Sequence, residues 1–192
     1  MALIKLNNQS LTAVSALPFD VGSNIKEQLV MLCDGNDYTV DSGTYTSTSV
    51  TSAQTPTATY ADVNGSSISY TPPSGTTSVF YEFVATYAFK DGNAVGHFKF
   101  FIDSDEVTYA RQSLQSTTNP QWLQSFRYAI PIGGTADTST GRQATWTNAK
   151  TLKIQVRMFG GSNECRLHES KNWDGAVANM IHMPKLIITS LG

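Results

Sequence analysis

The sequence has few charged residues and no long apolar run. Asp, Glu, Lys and Arg make up 15% of its 192 residues, against about 25% in an ordinary globular domain. This deficit excludes coiled coils and long charged helices, which depend on such residues. A membrane-spanning helix needs about 20 consecutive apolar residues, and no such stretch is present. The 40% of hydrophobic residues still predicts a soluble domain with a buried core.

Lys and Arg are absent from residues 27–89, a stretch that contains six acidic residues. Residues 90–192 carry eleven basic and eight acidic residues, and the basic ones are spread along the chain. A nucleic-acid-binding domain clusters its Lys and Arg residues and is markedly basic. With a formal net charge of −2, the chain is not expected to bind nucleic acid.

Cysteine is scarce as well. Cys33 and Cys165 are too few for a disulfide framework. Because Cys33 follows four apolar residues, we expect two inert core thiols, and one long-range disulfide is the alternative. Residues 1–19 also lack the basic start and apolar core of a signal peptide. We therefore expect synthesis in a cytoplasm, without export by the usual route.

Serine and threonine are abundant, whereas charged residues are few. They account for 43 of the 192 residues and for 18 of the 37 residues between 41 and 77. Around them, apolar and polar residues alternate with the period of two that is typical of β-strands. Residues 79–89 and 98–102 alternate clearly and flank Asp91-Gly92-Asn93, which predicts a hairpin. Further strands are predicted over residues 126–132, 152–158 and 186–188.

Dense turn signals separate these segments, and helix signals are confined to residues 175–182. Nine or ten short strands in residues 25–192 predict a single all-β domain. The fold class that this pattern favours is a β-sandwich, most simply a jelly roll.

Residues 1–24 form a different segment, the N-terminal arm, with an extended or short helical conformation expected. Ser10 can cap one helical turn, which Pro18 would stop. A segment this short cannot build a core of its own, so it either packs on its own domain or docks on another protein. The apolar residues that would dock are Leu3, Ile4, Leu6, Leu11, Val14 and Leu17.

No residue pattern indicates catalysis. The sequence has three histidines and lacks a nucleophile elbow, a phosphate-binding loop and a His-Glu-x-x-His motif. Two groupings have metal-ligand character: Cys165 with His168, beside Glu164 and Glu169, and the acidic group of Asp103, Asp105 and Glu106. For both, an ordinary solvated surface is the favoured interpretation. We predict no enzymatic activity, no metal and no cofactor.

Three tryptophans lie at or beside turn signals: Trp122, Trp146 and Trp173. Aromatic faces in loops can stack on sugar rings. The alternative is that each tryptophan closes one end of the sandwich core. Glycan binding is therefore a candidate function that the sequence leaves open.

Two stretches resemble small virion proteins of tailed bacteriophages, marine ones in particular. One is the opening Met-Ala-Leu-Ile-Lys-Leu-Asn-Asn-Gln-Ser. The other is Thr-Tyr-Ala-Asp-Val at 59–63, followed by Ser-Ile-Ser-Tyr-Thr-Pro-Pro-Ser-Gly at 67–75 and an aromatic strand. The resemblance implies a jelly-roll domain like those of tumour-necrosis-factor and complement heads, commonly trimeric. It also implies a location in the virion, with the N-terminal arm as the anchor on a capsid or tail protein.

A trimer of this kind requires strands with apolar residues on both faces, one for the core and one for a neighbouring subunit. The candidates for the subunit interface are Phe80, Val84, Leu29 and Met31. Capsid decoration, a fibre or tail appendage, and a host-glycan receptor are the functions that follow, and the sequence does not separate a capsid location from a tail location.

Overall fold

The structure is a computed structural model that describes residues 24–89, 94–116, 121–160, 165–171 and 179–192. Within these residues all regular secondary structure is β. The fourteen strands, in chain order, are β1 (Ile25–Leu32), β2 (Asp37–Val40), β3 (Gly43–Thr46), β4 (Ala61–Asp62), β5 (Ile68–Tyr70), β6 (Ser78–Phe89), β7 (Ala94–Ile102), β8 (Asp105–Ser116), β9 (Gln121–Pro131), β10 (Lys150–Met158), β11 (Cys165–Leu167), β12 (Glu169–Lys171), β13 (Asn179–Ile181) and β14 (Lys185–Leu191).

Two antiparallel sheets contain the main strands. The first has the order β1-β14-β6-β9, and β11 continues along β6 beyond the end of β14. The second has the order β8-β7-β10, and β5 and β4 pair one after the other with the free side of β10. Between β5 and β10 the chain changes sheet at every connection except that of the β7–β8 hairpin, which is the strand order of a jelly roll. The predicted all-β jelly-roll sandwich is confirmed.

Aromatic side chains join the two sheets. The ring of Tyr81 on β6 lies 4.9 Å from that of Phe100 on β7, and Tyr87 lies 5.2 Å from Phe98 on the same pair of strands. Over Ser78 to Ala85 of β6, the inward residues are nearly inaccessible to solvent because they meet this second aromatic row, and they alternate with half-buried outward residues. The core therefore forms between the central strands of both sheets.

The predicted hairpin of residues 79–89 with 98–102 is wrong. β6 pairs with β14, β9 and β11, whereas β7 pairs with β8 and β10. The two strands face each other across the core, because alternation marks which face of a strand is buried but not which strand lies beside it. The predicted turn at 91–93 lies outside the described residues.

The remaining strands form two small hairpins, β2 with β3 and β12 with β13. β13 lies within the predicted helix of residues 175–182, so its residues 179–181 are a strand instead. Residues 175–178 lie outside the described residues, as do positions 1–23 of the N-terminal arm with all six of its predicted docking residues.

Candidate functional site

A cavity of about 400 Å³ opens between the turn before β6 and the loop that leads into β10. We call it the Trp146 cavity. Pro73, Ile132 and Trp146 supply its apolar walls, and Thr145 and Thr147 line it beside them. Trp146 is only 6% exposed. Its indole N–H donates a hydrogen bond of 3.1 Å to the Tyr70 carbonyl, so the ring is fixed and a small part of it reaches the cavity.

A second cavity, of about 360 Å³, borders the edge strand β5, and we call it the Tyr45 cavity. Apart from Tyr45 and Ile68, all of its lining residues carry an aliphatic hydroxyl: Thr44, Thr46, Thr48, Ser67, Ser69 and Thr151. None of the described residues that line either cavity is charged. The Ser- and Thr-rich stretch of the sequence thus contributes to both cavities.

Tyr70 links the two cavities through the protein. Its ring centroid lies 5.4 Å from that of Tyr45 and 6.4 Å from that of Trp146. Tyr70 itself has no solvent exposure. One aromatic residue from each cavity therefore packs on the same buried ring.

A buried hydrogen-bond network fixes these walls. The carboxylate of Glu27 accepts bonds from the Ser42 amide (2.8 Å), the Ser42 hydroxyl (2.6 Å) and the Tyr70 hydroxyl (2.7 Å). Because the Tyr70 proton points at Glu27, the Ser190 hydroxyl donates to the Tyr70 oxygen at 2.8 Å. In the same way Tyr45 donates to the Ser42 oxygen at 2.8 Å. Burial raises the pKa of Tyr70, so its hydroxyl remains a donor.

The candidate tryptophans do not form one site. Trp122 is 39% exposed, packs edge-on against Phe89, and pairs in register with Tyr87 near the end of β6. Trp146 lies beside the turn that precedes β6. The ten residues from Ser78 to Tyr87 span roughly 30 Å of extended strand, which separates the two indoles. Trp173 lies outside the described residues.

The outer face of the first sheet carries the predicted interface residues Phe80 and Val84, both half-buried. Leu29 and Met31 do not lie there, because each is 1% exposed and belongs to the core. The outward residues of β1 are Val30 and Leu32 instead, 49% and 41% exposed. The continuous apolar run at 29–32 hides this alternation in the sequence, and Ile187, in register with Val30, extends the same surface.

Both cysteines are free and buried, in agreement with the prediction of two inert thiols. Burial raises the pKa of Cys33 and of Cys165 to about 12, so both are protonated at neutral pH. The Cys33 thiol also donates to the carbonyl of Gly65 at 3.4 Å. A protonated core thiol is a poor nucleophile and a poor metal ligand.

Two residues of the acidic group with metal-ligand character, Asp103 and Glu106, bind other residues of the protein. Asp103 accepts a hydrogen bond from the Thr151 amide, and Glu106 pairs with Lys99 and Arg111. Among the described residues, no three His, Cys, Asp or Glu side chains converge as a metal site requires. No helix in this part of the chain is long and apolar enough to cross a membrane.

His168 is fully buried with its ring edge-on to Phe83, 6.3 Å between centroids. Its backbone amide donates to the Thr86 carbonyl, and its own carbonyl accepts from the His182 amide. Neither ring nitrogen has a well-formed hydrogen bond to a described residue. Burial and the neighbouring His182 lower the pKa of His168 to about 4, and the backbone of Asn64 opposes this only in part.

Comparison with known proteins gives fold-level similarities only. No protein-family model and no curated protein matches the chain. Among solved structures it is similar to infectious bursal disease virus of the Gx strain, at 10% identity and a TM-score of 0.37, over 86% of this chain and 36% of that one. The Gt strain gives 12% identity and a TM-score of 0.29, over 98% of this chain and 54% of that one. T=1 particles derived from infectious bursal virus give 10% identity and a TM-score of 0.29, over 82% of this chain and 41% of that one. The chain thus spans between about a third and about half of those longer chains.

Proposed function

We propose that this chain is a non-enzymatic structural protein of a bacteriophage virion, a trimeric capsid decoration or a fibre or tail appendage. The resemblance of its opening residues and of residues 59–75 to phage virion proteins supports the virion assignment. The observation that carries the trimer is the outer face of the first sheet, where apolar side chains lie in adjacent rows on a jelly-roll domain. The N-terminal arm is the anchor on a capsid or tail protein.

The register of the sheet shows how these residues are arranged. Val30 lies beside Ile187 in one row, which continues to Glu82 and its ion pair with Arg127. Leu32 and Val84 flank Lys185 in the next row. Phe80 lies in the row on the other side, beside Thr189. An exposed sheet face in a monomer usually alternates toward polar residues. Apolar residues in three consecutive rows favour contact with a second copy of the chain.

Introducing charge on this face should dissociate the trimer. We expect Val30→Glu combined with Leu32→Glu to give monomers, since burying unpaired carboxylates in an interface is strongly unfavourable. Both positions are more than 40% exposed in the single chain, so its fold should tolerate the change. Light scattering after size exclusion measures the mass. The matched control is Ser113→Glu with Gln115→Glu, at exposed positions of β8 in the second sheet, and it should remain trimeric. A monomeric wild-type protein would contradict the assembly.

Removing residues 1–19 should separate assembly from anchoring. We expect the truncated protein to form a folded trimer that no longer joins phage particles, because the docking residues are lost while the described domain begins at Asn24. A quantitative gel of purified virions measures incorporation. Replacing Asn7, Asn8 and Gln9 with alanine keeps the apolar residues and should preserve incorporation. If the truncated protein still joins particles, the arm is not the anchor.

The same gel would distinguish the locations that the sequence leaves open. Hundreds of copies per particle would mean a capsid decoration, and a few trimers at a single symmetry axis would mean a tail appendage.

Recognition of host-surface glycans is the second candidate function. One observation favours it: of the three candidate tryptophans, Trp146 lines a cavity beside hydroxyl-bearing residues. Trp122 is exposed on β9, beside the far end of β6, and lines neither the Trp146 cavity nor the Tyr45 cavity.

A further inference from the structure

We propose that the Trp146 and Tyr45 cavities are two subsites for one neutral oligosaccharide. This inference specifies the ligand and the location of the second candidate function and does not depend on the virion role. Volumes of about 400 and 360 Å³ are within the range of ligand sites, roughly 300–1,000 Å³.

The lining chemistry selects the ligand class. A phosphate, sulfate or carboxylate group requires Arg, Lys or a helix N-terminus for tight recognition. Neither cavity has a charged lining residue, and the described chain has no helix. Lys26 lies next to the Trp146 cavity, since its ammonium is 3.4 Å from the position that a Cβ on the lining residue Gly75 would occupy. A single exposed lysine is a weak partner for an anionic sugar, so a neutral ligand is favoured.

The abundance of hydroxyl groups argues against a purely apolar ligand. A lipid chain in the Tyr45 cavity would remove water from hydroxyls such as those of Ser67 and Ser69 without replacing its hydrogen bonds, which is costly. The side chains of Ser69, Thr145 and Thr147 have no hydrogen-bond partner among the described residues, so they are available to a ligand. Each hydroxyl both donates and accepts, as sugar hydroxyls do.

The apolar walls of both cavities also suit a sugar, because the ring faces of many sugars are C–H surfaces. In the Trp146 cavity such a face meets Pro73 and Ile132, with the fixed indole at its edge. In the Tyr45 cavity it meets Tyr45 and Ile68. Ser69 of the Tyr45 cavity and Pro72 of the Trp146 cavity are three residues apart, which is at most about 11 Å of extended chain. One chain of several sugar units is long enough to contact both, so an oligosaccharide fits better than a single sugar.

The test uses the full chain and neutral hexasaccharides: maltohexaose, cellohexaose, laminarihexaose and chitohexaose. Hexagalacturonate and a heparin hexasaccharide are the anionic comparison. Saturation-transfer NMR detects binding, and calorimetry gives the affinity. We expect at least one neutral hexasaccharide to bind and both anionic ones to fail. Failure of all four neutral probes at millimolar concentration, or stronger binding of an anionic probe, would overturn the proposal.

Variants then locate the site. We expect binding to weaken roughly 3- to 10-fold when either cavity loses one or two hydrogen bonds. The variant of the Trp146 cavity combines Thr145→Val with Thr147→Val, and the variant of the Tyr45 cavity is Ser69→Ala. Thr147→Trp, which fills the first cavity from an exposed position, should abolish most of the binding. Thr59→Val is the control, an exposed threonine that lines neither cavity. Binding that survives all the cavity variants would contradict the assignment. Particle incorporation has a separate readout, so either proposal can fail alone.

Discussion

Replacing Glu27 with alanine should lower the free energy of unfolding by about 3–5 kcal/mol, because it removes the acceptor of three hydrogen bonds in a buried site. Glu27 is 7% exposed, and the Tyr70 hydroxyl that it binds is fully buried. The variant leaves that hydroxyl and the Ser42 amide without their partner and opens a cavity under β1. For a chain of this length we expect the melting temperature to fall by about 10 °C or more.

Glu27→Gln distinguishes the loss of charge from the loss of shape. The glutamine oxygen can still accept from Tyr70 and from the Ser42 hydroxyl, but its amide nitrogen then faces the Ser42 N–H, donor against donor. We expect a loss between that of alanine and that of the wild type. Gln28→Ala is the matched control on the same strand, at an exposed position, and should change stability by less than about 0.5 kcal/mol.

Hydrogen exchange identifies which strands lose protection in Glu27→Ala. Ser42 lies in the turn between β2 and β3, fifteen residues from Glu27, so the network ties this hairpin to β1. In Glu27→Ala the amides of β2 and β3 should exchange much faster, while the central strand β6 changes little beyond the global effect. Uniform loss of protection across both sheets, or no change in stability, would contradict this role for Glu27.

The position of Glu27 also shows what the sequence could and could not reveal. Glu27, Leu29 and Met31 share one phase of the strand alternation, and all three point inward. In the sequence Glu27 marks that phase as solvent-facing, because charged residues are seldom buried, whereas the structure buries Glu27 together with its hydrogen-bond partners Ser42 and Tyr70. The unbroken apolar run at 29–32 does not show which residues face inward, and this is why the sequence alone predicts Leu29 and Met31 at a subunit interface.

The all-β class and the inward faces of the central strands could be predicted because they follow from a local period of two. The neighbours of β6 could not, since they depend on which remote strands share its sheet. The cavities were equally hidden. Ser69 and Thr147 lie far apart in sequence, and only the pairing of β5 with β10 brings their segments together.

Acidification should destabilise the protein through His168. Its pKa is 6.5 for an ordinary histidine and is lowered to about 4 in the folded chain. Between these values the unfolded chain binds the proton and the folded chain does not. The free energy of unfolding therefore falls as the pH drops from about 6.5 to about 4, and the loss from this residue amounts to about 3 kcal/mol below that range. Urea unfolding over this range measures it.

His168→Asn isolates this contribution. Asparagine tolerates the backbone φ of 65° found at this position and does not titrate, so the variant should be less stable near neutrality but lose less stability on acidification. Asp34 and Glu106, whose pKa values are lowered by hydrogen bonds, affect both proteins alike and cancel in the difference. His97→Asn, on the half-exposed face of β7, retains His168 and should retain the wild-type pH dependence. Equal pH dependence of His168→Asn and the wild type would mean that a different group senses the acid.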